Sequence, residues 1–197
     1  MRTDSRVDLL WIPLGAGGRF VARNGRIYEA VAARRRRRRP ADLYHSALEV
    51  QVDGDRYAIE QGPVWNLKQT DRGVVAVGPV GSPALRRFSA FRYEVRCWRG
   101  GVIPDRDAAV ESPQRVSSDA GAARRVIELA PEFPTATWGR DEQRTGEMWN
   151  SNSLVSWLLT RSGHDIAAIG PPAGGRAPGW SAGIVVAGRS GGARASS

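Results

Sequence analysis

Residues 7–13 read VDLLWIP, an almost unbroken apolar run that Gly15, Gly17 and Gly18 bring to an end, which is the pattern of a buried strand. From 19 to 36, Phe20, Ile27, Ala30 and Val31 recur at roughly helical spacing, although Asn24-Gly25 also allows a hairpin there. Two β-rich runs then flank Asp53-Gly54, in YHSALEVQVDGDRYAIEQG. That dipeptide supplies the positive φ angles of a type I′ turn, so a β-hairpin is expected, with Leu48 opposite Ile59 and Val50 opposite Tyr57. RGVVAVGPV and RFSAFRYEVRCWRG predict further strands. After Pro104 the period changes to a helical one. Ser118 or Asp119 can cap a helix through Ala130, carrying Ala122, Val126 and Leu129 on one stripe and halted by Pro131. A second helix is predicted over about 146–162, with Gly163 just past its end. GWSAGIVVAG suggests one last short strand, and residues 189–197 a disordered tail.

The expected fold class is therefore α+β: one domain over residues 1–188, with an antiparallel sheet of four to five strands packed against helices. A length of 197 residues, 41% hydrophobic with seven Trp, suits one domain with a substantial core. The N-terminal apolar run is too short to span a bilayer, and Asp4 and Asp8 do not suit a signal peptide, so a cytoplasmic protein is expected.

The formal charge of +9 would ordinarily point to a polyanionic partner. Of the 29 Lys and Arg residues, however, only Lys68 is lysine, a skew that fits the codon bias of a GC-rich genome. The run Arg34 to Arg39 has no interleaved aromatics and reads as an exposed, self-repelling segment, so nucleic acid is not the expected partner. Cys97, the single cysteine, lies in a β-rich run and reads as an inert buried thiol; no intramolecular disulfide and no cysteine-based zinc site can form. No phosphate-binding glycine loop or His/Asp metal cluster is present, and no cofactor is expected. His164 follows Gly163 at a helix end, where a capping or surface role is expected.

The remaining candidates for chemistry are few. In EMWNSNSLVSWLL, Asn150, Ser151, Asn152 and Ser153 crowd the first turns of the second helix, above a stripe of Leu154, Val155, Leu158 and Leu159. Free N–H groups and the positive end of the dipole favour negative charge there, on a nucleophile or an oxyanion; the same residues also serve simply as caps. In the hairpin, His45, Ala47, Glu49 and Glu60 project from the face opposite the apolar one. Glu60 is the diagonal neighbour of His45, about 7–8 Å away at Cα, whereas Glu49 lies roughly 13 Å along the strand. Glu60 is thus the better partner for the imidazole.

YHSALEV…YAIEQG followed by WNSNSLVSWLL resembles the circularly permuted branch of the papain-like superfamily, related to NlpC-type peptidases and lecithin retinol acyltransferase. The resemblance spans about residues 40–162, and Asn150, Asn152, Leu154, Trp157, Leu158 and Leu159 match its helix motif. It implies a hydrolase or acyltransferase acting on an amide, ester or thioester of an acyl, peptide or lipid substrate. Ser151 would be the nucleophile, His45 the base, Glu60 its orienting partner, and Asn150 and Asn152 substrate-binding neighbours. A His45 ring nitrogen is then expected within hydrogen-bonding distance, directly or through one water, of both Ser151 and Glu60. The family carries Cys where this chain has Ser151, and an alcohol must be deprotonated during attack. The retained His45 and Glu60 favour the enzyme; the missing thiol points to the alternative, a catalytically inactive domain that acts as a binding module.

Overall fold

A computed structural model describes residues 4–14, 41–64 and 72–192. The possible helix over 19–36 and the arginine run at 34–39 lie outside these residues. Six strands form one antiparallel sheet: β1 (Arg6–Pro13), β2 (Tyr44–Val52), β3 (Asp55–Pro63), β4 (Val74–Pro79), β5 (Arg92–Arg99) and β6 (Gln114–Ser117), in the order β4-β5-β3-β2-β1-β6. The β2–β3 hairpin has the register that alternation requires, Leu48 opposite Ile59 and Val50 opposite Tyr57. Its turn residues Asp53 and Gly54 take φ of 55° and 86°, the positive values of a type I′ turn.

Three helices lie among the described residues: α1 (Ala120–Leu129), α2 (Ser151–Arg161) and α3 (Trp180–Gly192). Asp119 caps α1 through a 2.6 Å bond from the Ala122 N–H to its carboxylate. Asp119→Ala should cost about 1 kcal/mol, read as a lower urea midpoint with an unchanged slope; a variant as stable as the parent would show that the cap contributes nothing. Gly163 closes α2 in a Schellman arrangement, with φ +84°, its N–H on Thr160 O and the His164 N–H on Leu159 O.

Four elements depart from expectation. The sheet has six strands because QRVS joins the free edge of β1; its single apolar residue gives no alternation to read. The segment GWSAGIVVAG is part of α3, since Ala182, Val186 and Ala187 form a buried helical stripe and tertiary packing overrides the β propensity of its valines. This helix runs to Gly192, past Arg189 where a tail is expected to begin. The fifth strand starts only at Arg92; residues 83–91 form two successive 3₁₀ turns. Helix α2 starts at Ser151, because Gly146 takes φ +85° and Asn150 provides the cap.

Alternation assigns the two faces of the sheet. Leu9, Trp11, Leu48, Val50, Ile59 and Val95 face the helices and form the main core with Leu154, Val155, Leu158 and Trp180. Leu10, Ile12, Ala47 and Ala58 face the other way and pack with Ile103 from the segment after β5. None of these helices is long and apolar enough to cross a membrane.

Candidate functional site

The polar run before α2 fastens the helix. Asn150 accepts the Asn152 N–H at 2.9 Å and forms a capping box with Ser153, while its own amide donates to Pro178 O at 2.9 Å. Asn152 accepts from Ser46 Oγ at 2.8 Å and donates to Tyr44 O and Pro178 O at 3.0 and 2.9 Å. Ser153 Oγ donates to Gly179 O, and Ser156 Oγ to Trp180 O. These bonds tie α2 to β2 on one side and to the start of α3 on the other. The amide hydrogens of Asn152 are both taken, so these two asparagines act as fasteners of the helix terminus.

Ser151 differs from its neighbours. It is 4% exposed, and its Oγ forms no hydrogen bond among the described residues. At the first position of α2 it shares a helical stripe with Val155 and Leu158, both fully buried.

His45 occupies the other side of that sheet. Its partner on β1 is Ile12, one position from the Trp11–Ser46 pair, and Ile12 belongs to the cluster facing away from the helices. The residue of β2 that meets α2 is Ser46. The imidazole therefore projects from the face opposite Ser46, and no hydrogen bond joins it to Ser151 among the described residues. Burial lowers the pKa of His45 to about 4, against a smaller upward pull from Asp105, so the ring is neutral at pH 7.

Glu60 shares the face of His45, as the register requires, but it is engaged elsewhere. Its carboxylate accepts Arg96 Nη1 at 2.8 Å. Burial raises the Glu60 pKa and Arg96 opposes the rise. Arg96 Nε also reaches Glu94 at 3.1 Å, and Glu94 takes Arg72 Nη2 at 2.6 Å. Farther along this face Glu49 binds Arg106 through both oxygens, at 2.7 and 3.0 Å. Part of the arginine excess is thus paired internally with carboxylates.

The other candidates have structural surroundings. Burial pushes the Cys97 thiol up to about 11, which makes it unreactive. His164 is half-buried, with Nδ1 2.8 Å from Ser162 Oγ, and its pKa is lowered, burial being the main cause. Its ring is packed at the helix end, and its backbone N–H helps to close that end, where a capping or surface role was expected. Among the described residues no three His, Cys, Asp or Glu side chains are grouped so as to hold a metal.

Gln61 is a residue that motif reading misses. It pairs with Val95, so it lies on the helix face. It is 5% exposed, and neither Oε1 nor Nε2 has a hydrogen-bond partner among the described residues. The β2–β3 pairing ends at Leu48–Ile59, although β2 stays paired with β1 to Tyr44 and β3 with β5 to Pro63. The two strands therefore part, with His45 and Glu60 flanking the opening on one face and Ser46 and Gln61 on the other. The signal for Gln61 was its alternation with Tyr57 and Ile59, which placed an amide on an otherwise apolar face. No family model matches the chain, and no curated protein or solved structure matches it either.

Proposed function

We propose that this chain is a binding module on a frame of the permuted papain-like kind, without the hydrolytic chemistry of that group. The observation that carries this reading is the strand alternation that turns His45 away from α2. Serine needs an adjacent base to become a nucleophile, and among the described residues no base is hydrogen-bonded to Ser151. What the helix face offers is a set of donors: the Ser151 hydroxyl, the positive end of α2 and, next to the opening between β2 and β3, the Gln61 amide. Such a set suits the carbonyl or carboxylate oxygen of an acyl or peptide group, held without being cleaved.

The decisive experiment is fluorophosphonate labelling of the wild type between pH 5 and 9, alongside the thiol titration of Ser151→Cys in a Cys97→Ala background. No labelling is expected. The new thiol should have its pKa lowered by the helix terminus alone, so adding His45→Ala should leave its iodoacetamide pH profile unchanged. Labelling that is lost in both Ser151→Ala and His45→Ala, or a thiol pKa that rises when His45 is removed, would restore the hydrolase reading.

A further inference from the structure

The connection between β4 and β5 combines exposed aromatic rings with unopposed positive charge. Residues 83–91 are almost entirely exposed, with Phe88 at 48% and Phe91 at 41%, next to Val77 at 45% on β4. The two 3₁₀ turns are held by their own backbone: the Phe88 N–H bonds Leu85 O and the Phe91 N–H bonds Phe88 O, each at 3.0 Å. At the base, the Val80 N–H bonds Phe91 O at 2.8 Å and the Gly81 N–H bonds Trp138 O at 3.0 Å. The phenyl rings are thus fixed in water by an ordered backbone, and burying them there adds nothing to the core.

Charge on this segment has one sign. No Asp or Glu occurs between positions 72 and 93, and Arg86 and Arg87 are both exposed. Several arginines elsewhere pair with carboxylates, and others, such as Arg125 and Arg189, bond backbone carbonyls; Arg86 and Arg87 form no ion pair among the described residues. Instead the Arg87 guanidinium lies 4.8 Å from the centre of the Phe88 ring.

We infer that the 83–91 loop is a docking surface for an anionic lipid bilayer, with Phe88 and Phe91 entering the interface and Arg86 and Arg87 meeting lipid phosphates. A bilayer suits this surface better than a nucleic acid. One face of Phe88 is covered by Arg87 and is closed to a base, and the neighbouring Pro83, Ala84, Ala90 and Val77 are aliphatic groups that acyl chains cover but bases do not stack on. This inference is independent of the reading of Ser151 and can fail separately from it.

The test is co-sedimentation of the full chain with mixed phosphatidylglycerol–phosphatidylcholine vesicles and with pure phosphatidylcholine vesicles. The wild type should partition onto the anionic vesicles only, less so as salt rises. Phe88→Ser/Phe91→Ser should lower that partitioning about tenfold, and Arg86→Ser/Arg87→Ser by a similar factor. Arg99→Ser/Arg124→Ser removes the same charge from paired arginines and should change it less than about twofold. Circular dichroism melts would verify that each variant is folded. The inference is overturned if the wild type ignores anionic vesicles, if the phenylalanine pair has no effect, or if the two arginine pairs behave alike. Phe88- and Phe91-dependent binding of single-stranded oligonucleotide without vesicle binding, or self-association lost with those rings, would also overturn it.

Discussion

Arg96→Leu is expected to destabilise the fold by about 3 kcal/mol at pH 7, because it leaves the largely buried Glu60 carboxylate without its counter-charge and Glu94 with Arg72 alone. Arg96 is 5% exposed, and it joins Glu60 on β3 to Glu94 on its own strand. Its guanidinium lies over Gly62, where an added Cβ would make ordinary contact with Nη1 at 3.6 Å. Leucine restores neither the charge nor the bonds. The loss should depend on pH. Burial pushes Glu94 up, but Arg72 and Arg96 more than offset it and hold its pKa below the ordinary value, so its stabilisation is present at neutral pH and fades as the pH falls. Glu60 has a raised pKa, so its contribution is largest in acid and fades as the pH rises. Removing Arg96 moves both carboxyls upward, and the variant then takes up protons on folding. Its deficit against the wild type should therefore shrink between about pH 6 and pH 4. Urea unfolding at both pH values measures this. A deficit below about 1 kcal/mol, or one that does not change with pH, would show that the Glu60–Arg96–Glu94 set is solvated and contributes little.

The hairpin was legible in the sequence because its turn and its alternation agree: Asp53-Gly54 sets the register, and Leu48, Val50, Tyr57 and Ile59 set the buried face. That same alternation decides the fate of the candidate triad. A helix with a stripe of Leu154, Val155, Leu158 and Leu159 packs on the apolar face of the hairpin, whereas His45 shares the opposite face with Glu60. The family resemblance implied a His45–Ser151 pair; strand parity turns His45 to the face opposite Ser46 and leaves Ser46 where an imidazole was expected. What stayed hidden was set by tertiary contact. Gln114–Ser117 becomes a strand only because β1 offers a free edge, and residues 180–192 become helical because α2 offers a surface of Ser153 and Ser156 small enough to approach closely.

That close approach supplies the second large effect, at Gly183. A Cβ added there would overlap Ser156 Oγ and the Ser153 carbonyl oxygen, with the Trp157 nitrogen at 2.9 Å. The glycine is required by space, because two of these three obstacles are backbone atoms of α2 and cannot rotate aside. Gly183→Val would force α3 away from α2 and stretch the bonds from Ser153 to Gly179 and from Ser156 to Trp180, 2.8 and 2.7 Å long. It would also disturb the Trp11–Trp180 contact, whose ring centres are 5.0 Å apart, and with it the packing of α3 on β1. Overpacking of this kind costs about 3 kcal/mol, which for a chain of this size lowers the melting temperature by roughly 6–12 °C. Ser156→Ala removes one obstacle and leaves the Ser153 carbonyl in place, so combining it with Gly183→Val should recover less than about half of the loss. The near-ultraviolet circular dichroism of the paired tryptophans should weaken along with the stability. A valine variant that melts within about 2 °C of the wild type would mean that α2 and α3 are not held in contact at this crossing, and the tie between the Ser151 helix terminus and α3 would have to be abandoned with it.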